Sequence, residues 1–195
     1  MVSVPSSLHD IINGLPDGLQ RHLYGTRDTA LDLARRFGVD AAKVELAALG
    51  HDLYRAVDDA QLLIEARALG LAVHPVEERV PVLLHGPLAA EQLRRDCGVD
   101  DPDVLEAVRW HSIACAGMGE VGLVVFLADK LEPGKAGASS YLRRAAELAQ
   151  ESLDEAVLYC LTAEMGRLLE RGGLLHPASV EARNDLIMRL GAGDR

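Results

Sequence analysis

Val44-Glu45-Leu46-Ala47-Ala48-Leu49-Gly50-His51-Asp52 is the stretch on which the reading of this chain turns. Val44, Ala47, Ala48 and His51 recur at the i, i+3, i+4, i+7 spacing of one helical face, so the pattern predicts a helix that delivers an imidazole, and the carboxylate next to it, to its buried side. The same habit appears on either side of it. His22, Thr26, Ala30, Leu33 and Phe37 form an apolar stripe of helical period that Gly38 closes. His85, Ala89 and Leu93, then Val104, Val108 and His111, then Gly122, Val125 and Asp129 repeat the pattern. Five segments each carry a histidine or aspartate to an inward face.

Turn residues mark loops at 38–42, 70–75, 98–102 and 133–140. Further helices are expected at about 141–150, 153–170 and 179–190, with Ser152 or Ser179 as caps and Glu155 completing a capping box for the first. The expected fold class is all-α, a single compact domain over 1–195 with its core at about 18–135 and C-terminal helices at about 141–190.

Composition agrees. With 49% hydrophobic residues in 195 there is material for a sizeable core, which argues against disorder, and only 4% aromatics favours packed helices over a β-sandwich. Acidic residues outnumber basic ones 30 to 20, a formal charge of -10, so a nucleic-acid polymer or an anionic membrane is not an expected partner; a small anion held by a locally positive site is compatible. Cys97, Cys115 and Cys160 are odd in number and lack CxxC spacing, and the chain does not open like a signal peptide, which together suggest a reduced, cytoplasmic protein. The apolar run 121–128 is far short of the roughly 20 residues that span a bilayer.

Two aspartates and four histidines on core faces demand compensation, because a buried charge costs several kcal/mol unless it is paired or metal-bound. A divalent cation supplies it. Imidazoles and carboxylates without thiolates suit Fe, Mn, Co or Zn and disfavour an Fe-S cluster. Such an ion lowers the pKa of bound water toward roughly 7 and polarises a phosphoryl oxygen, so hydrolysis of a phosphate ester or phosphoanhydride is the expected chemistry. His9-Asp10 repeats the dipeptide with no helical face behind it and reads as solvated polar residues; His74, before Pro75, reads as surface, and Cys115 as a small buried filler.

With these residues in place the chain resembles a known family. Arg21-His22 with Gly25, Ala30 and Leu33-Ala34; Glu45 to Asp52; His85-Gly86-Pro87-Leu88-Ala89; Ala107 to His111; Ala128-Asp129-Lys130-Leu131-Glu132-Pro133; and His176-Pro177 followed by Glu181-Ala182-Arg183-Asn184 are similar to the bacterial symmetrical diadenosine-tetraphosphate hydrolases, the YqeK family of HD-domain metal-dependent phosphohydrolases. The resemblance spans about residues 18–190, and the His-Pro and Glu-Ala-Arg-Asn segment is its most particular part. It implies an all-helical HD-type domain, a divalent transition metal (iron before manganese or cobalt), and symmetrical cleavage of diadenosine tetraphosphate to two ADP. The partners it implies are small nucleotides alone.

By the same resemblance His22, His51, Asp52 and Asp129 would be metal ligands, with Asp52 also the catalytic residue beside the reacting phosphate. His85 and His111 would face the phosphates, or hold a second ion where one binds; Ser112, Arg55 and Lys135 would be further substrate contacts. The turn 172–177, with Leu175, His176 and Pro177, would close over the nucleoside end. The chain departs from the family at Ser112-Ile113-Ala114-Cys115, where Thr-Thr-Gly-Arg is usual, at Arg55, where Lys is usual, and at Lys135, where Arg is usual. Loss of a guanidinium beside a polyphosphate removes a contact worth about 1.5–3 kcal/mol, so these departures bear on substrate length or affinity rather than on the metal chemistry. Two other readings stand beside this one: an HD-type nucleotidase or small phosphate-ester hydrolase, and a non-catalytic nucleotide sensor.

Overall fold

The computed structural model describes residues 4–136 and 139–192, with the side chains at 135, 136 and 192 excepted. Helices follow one another without a strand among the described residues: α1 Ser6–Asn13, α2 Asp17–Phe37, α3 Ala41–Gly50, α4 Asp59–Ala68, α5 Pro75–Arg79, a 3-10 turn Pro81–Leu84, α6 His85–Asp96, α7 Pro102–Trp110, α8 Glu120–Leu131, α9 Pro133–Ala136, α10 Ser140–Leu148, α11 Leu153–Glu170 and α12 Pro177–Ala192. The all-α expectation holds, and no helix is long and apolar enough to cross a membrane.

The deciding stretch is a short helix at the centre of the packing. Asp40 caps α3 by accepting from the Ala42 and Lys43 amides, and Val44 and Leu46–Gly50 are buried because α2, α7 and α8 all pack on it. α8 is buried from Val121 to Lys130, apolar nearly all round, as a helix enclosed by others must be. α2 turns Leu23, Thr26, Ala30, Leu33 and Ala34 inward and ends where Gly38 takes a left-handed φ of 71°, as its stripe predicts. α11 carries α10 and α12 onto the far side of α8.

Two close approaches set the separation of the histidine-bearing helices. A Cβ on Gly50 would lie 2.5 Å from Leu93 Cδ1, and one on Gly86 would lie 2.7 Å from the Arg109 carbonyl oxygen and 3.0 Å from that of Val108. The second neighbour is backbone, so α6 and α7 meet at a spacing only glycine permits, and that spacing brings His85 to His111.

The helix ends depart from expectation at several places. α12 begins at Pro177 rather than at 179, and its cap is His176, whose Nδ1 accepts from the Ala178 amide at 3.2 Å; Ser179 instead donates to the Ile113 carbonyl at 2.8 Å. His74 is not a surface loop residue. It is half-buried and caps α5, accepting from the Val76 amide at 3.1 Å while Glu77 accepts from the His74 amide, and its ring lies 4.8 Å from that of His176. Ser152 caps α11 through the Glu155 amide as expected. His9-Asp10 is exposed as expected, yet a helix, α1, does lie beneath it, burying Leu8 and Ile12. α4 was also absent from the expected elements; Asp58 caps it, and only Leu62 and Ala66 are buried on it.

Two predictions follow from this packing. Gly86→Ala should lower the unfolding free energy by about 1–3 kcal/mol in denaturant titration, the usual cost of overpacking, whereas Gly166→Ala, with open space around it on α11, should raise it by about 0.5–1 kcal/mol; equal effects would contradict the close approach. The His176 cap needs a bare Nδ1, and burial holds its pKa below the ordinary 6.5 of a histidine, with Glu77 opposing. The unfolded chain then binds more protons than the native one as pH drops past 6.5, so this contribution to stability is present above 6.5 and is lost below it. His176→Asn keeps a capping oxygen without the titration and should lose less stability than the parent between about pH 7.5 and pH 5.5; an equal loss would show that the cap does not titrate.

Candidate metal centre

Each predicted site histidine sits at a particular place on its helix. His51, His85 and His111 are the residues that close α3, the 3-10 turn and α7; at His51 and His111 helical carbonyls run out of amide partners, and His85 also opens α6. Each turns Nδ1 back onto the carbonyl three residues earlier: His51 onto Ala48 at 2.7 Å, His111 onto Val108 at 2.7 Å, and His85 onto Val82. A carbonyl can only accept, so Nδ1 carries the hydrogen and Nε2 of the neutral ring is bare. His22, inside α2, has its Nδ1 3.4 Å from Glu132 Oε1, a carboxylate in the orienting role that other metal-site histidines give to a carbonyl.

The four Nε2 atoms converge on Asp52. On one side, His22 Nε2 lies 3.2 Å from His51 Nε2, 3.1 Å from Asp129 Oδ1 and 3.4 Å from Asp52 Oδ2, with His51 Nε2 3.5 and 3.6 Å from the same two oxygens. On the other, Asp52 Oδ1 lies 3.0 Å from His85 Nε2 and 3.3 Å from His111 Nε2, which are 2.9 Å apart. His22, His51, Asp52 and Asp129 thus form one group with ligand atoms all within 4.8 Å of one another, and Asp52, His85 and His111 form a second. Asp52 belongs to both, one oxygen to each.

This arrangement fits a divalent ion on its own geometry. Bare imidazole nitrogens about 3 Å apart repel unless a cation lies between them, and ligands at about 2.1 Å from a metal are themselves separated by about 3.0–3.4 Å in octahedral or tetrahedral geometry. Protonation states agree. Burial pushes His111 down to about 4, against the pull of Asp52, which leaves its ring neutral and able to ligate. Burial opposes ionisation of Asp52 and Asp129, yet positive charge within the surrounding imidazole cluster, with Lys130 beside Asp129, pulls both carboxyls well below the usual range, and a cation among bare Nε2 atoms would exert the same pull. The donors are nitrogen and oxygen without sulfur, the set for a first-row ion such as Fe, Mn, Co or Zn.

Around these ligands lie groups that the sequence pattern did not single out. Lys130 is buried, its Nζ 3.7 Å from Asp129 Oδ2, 3.8 Å from Glu164 and 4.0 Å above the Phe126 ring. Glu132 is buried behind His22 and accepts from the Gly134 amide at 2.8 Å. Both sit at the end of α8, where a run of apolar residues conceals a charge from periodicity.

Ser112 joins the second group to a cavity. Its Oγ is 3.2 Å from His85 Nε2 and 3.1 Å from His111 Nε2, and it lines a hollow of about 100 Å³ walled mainly by apolar side chains, among them Leu83, Ile113, Leu161 and Leu175, with His176 at its rim. Leu174, Leu175 and His176 of the 172–177 turn line that cavity, whereas Pro177 is exposed as the first residue of α12. Arg55 is exposed on the turn after Asp52, and the Lys135 side chain lies outside the described residues. Cys115 is half-buried, which pushes its thiol up to about 11, and it follows Ala114, whose φ is 58°.

Comparison with known proteins agrees with this geometry. The family model for the HD domain matches residues 19–134. The symmetrical bis(5'-nucleosyl)-tetraphosphatase of Bacillus subtilis is 30% identical over 168 residues, 85% of this chain and 88% of the relative, and the protein of the same description from Halalkalibacterium halodurans is 29% identical over 86% and 88%. A crystal structure described as a predicted HD superfamily hydrolase involved in NAD metabolism, from Clostridium acetobutylicum, superposes with a TM-score of 0.88 at 28% identity over 94% of this chain and 96% of that one. With the His-Asp centre, the helical frame and the length of the match all in agreement, this chain belongs to the HD domain family, among relatives of the symmetrical bis(5'-nucleosyl)-tetraphosphatase type.

Proposed function

We propose that this chain is a metal-dependent hydrolase that cleaves a dinucleoside tetraphosphate, diadenosine tetraphosphate foremost, at its central phosphoanhydride to give two nucleoside diphosphates. The observation that carries the reading is the sharing of Asp52 between two clusters of bare imidazole nitrogens, one of them open through Ser112 to an apolar cavity. Names of relatives covering most of their own length support the same substrate class. His22, His51, Asp52 and Asp129 would hold one ion and Asp52, His85 and His111 a second, with iron favoured and manganese or cobalt able to replace it. When bound, such an ion supplies Lewis-acid polarisation of a phosphoryl oxygen and acidifies water.

The chain's own residues do the rest. Asp52 fixes both sets of ligands in one rigid frame, so the reacting phosphate meets groups already in position. Ser112, between His85, His111 and the cavity, is placed to donate its hydroxyl hydrogen to a phosphate oxygen. Leu175 and His176 supply the wall against which one purine packs, and the apolar lining excludes water from that end. Arg55 and Lys135 enter this reading through the family resemblance alone. Three free cysteines support a cytoplasmic setting.

Incubation of the metal-loaded chain with diadenosine tetraphosphate is expected to give ADP as the sole nucleotide product, and Asp52→Asn to lower kcat/KM by at least about a hundredfold, since it weakens both clusters at once. AMP plus ATP would contradict the symmetrical cut. Undiminished turnover in Asp52→Asn would contradict the site, and nucleotide binding without hydrolysis would favour a sensor.

A further inference from the structure

The cavity beside Ser112 has a neighbour. A second hollow, of about 290 Å³, is lined by Tyr141, Glu164, Arg167, Leu168 and Arg171, and Glu164 and Leu168 line the first cavity as well. These two residues lie one helical turn apart on α11 and form a ridge with a hollow on each side. At one end of that ridge Glu164 meets Lys130, the residue after the candidate ligand Asp129, so the wall shared by the two hollows reaches the edge of the candidate metal centre.

The two differ in chemistry. The first is mainly apolar; the second, apart from Glu164 on the shared wall, is cationic and aromatic. The Arg167 guanidinium lies 5.2 Å from the centroid of the half-buried Tyr141 ring, and Arg171, one turn on, donates its Nε hydrogen to the Arg167 carbonyl at 3.0 Å. Among the described residues neither arginine is held by a carboxylate, although the chain carries a net charge of -10 and other exposed arginines, such as Arg35, Arg67, Arg94 and Arg144, are paired. Two guanidiniums left unneutralised beside an aromatic ring, in an acidic protein, form a site for a planar π-system that carries negative charge.

We propose that this second hollow is the subsite for the other nucleoside of the dinucleotide, an inference that rests on the functional reading above. A symmetrical substrate cut at its middle presents the same base and diphosphate on each side of the reacting centre, and the ridge offers one hollow to each. One base packs in the apolar cavity. The other stacks on the Tyr141–Arg167 face, with Arg171 turned to the phosphate joined to it. Stacking of this kind accepts any base, so this subsite sets the need for a second nucleoside rather than its identity.

The test compares diadenosine tetraphosphate with adenosine 5'-tetraphosphate, which has one nucleoside and all four phosphates but no second base. In the metal-loaded full chain, Arg167→Ala should raise KM for the dinucleotide roughly tenfold with kcat held within about twofold, the signature of lost binding common to ground and transition states. The inhibition constant of adenosine 5'-tetraphosphate against the dinucleotide should move less than about threefold. Tyr141→Ala, acting on the same base from the other partner of the stack, should show the same split. An unchanged KM in both variants overturns the subsite, and so does a parallel rise for both ligands, which would assign Arg167 to phosphates common to the two. A wild-type chain that yields no ADP from the dinucleotide overturns the functional reading itself and the subsite with it.

Discussion

Bare imidazole nitrogens facing one another across a buried carboxylate are the constraint on which the rest of this structure depends. His51, His85 and His111 each spend Nδ1 on a helical carbonyl, so their Nε2 lone pairs point into a space where they repel one another. Left alone, four such rings around Asp52 and Asp129 would push the helices apart; a divalent cation turns the same arrangement into a net attraction. The surrounding packing serves this purpose. α3 is buried on nearly every side so that its last residue can be held, and Gly86 lets α6 approach the α7 backbone closely enough for His85 to reach His111.

That a helix end carries each of these three histidines is economical chemistry. At His51 and His111 the imidazole satisfies a terminal carbonyl while its own tautomer becomes fixed, and at His85 it shares the Val82 carbonyl with the His85 amide. Ionisation follows from the same enclosure: burial holds His111 neutral, and the cost of burying Asp52 and Asp129 as anions is offset by positive charge in the imidazole cluster, by Lys130 beside Asp129, and by a cation when one is bound. The chemistry proposed for the chain is the use of that electrostatic frame on a phosphoanhydride.

Much of this is written in local pattern. Periodicity alone puts His22, Asp129 and the His51-Asp52 pair on inward faces, because a helix that buries apolar residues at i, i+3 and i+4 has no choice about what else shares that face. What pattern conceals is tertiary. His74 and His176 cap helices and meet ring to ring at a tilt of 58°, yet an imidazole as a cap has no periodic signature and is not among the residues usually expected there. Lys130 and Glu132 lie in or just beyond a helix apolar on all sides, where no polar face announces them. The division of Asp52 between two clusters depends on which oxygen faces which ring, a matter of side-chain geometry that no spacing encodes.

Counting metal per chain bears most directly on that division. Anaerobic loading with iron or manganese, removal of free ion and elemental analysis against protein concentration should give two ions per chain, because Asp52 offers one oxygen to each of two groups. A ratio that stays at one with excess metal would contradict the account, leaving His85 and His111 as contacts to phosphate and the nitrogen pair between them without its cation.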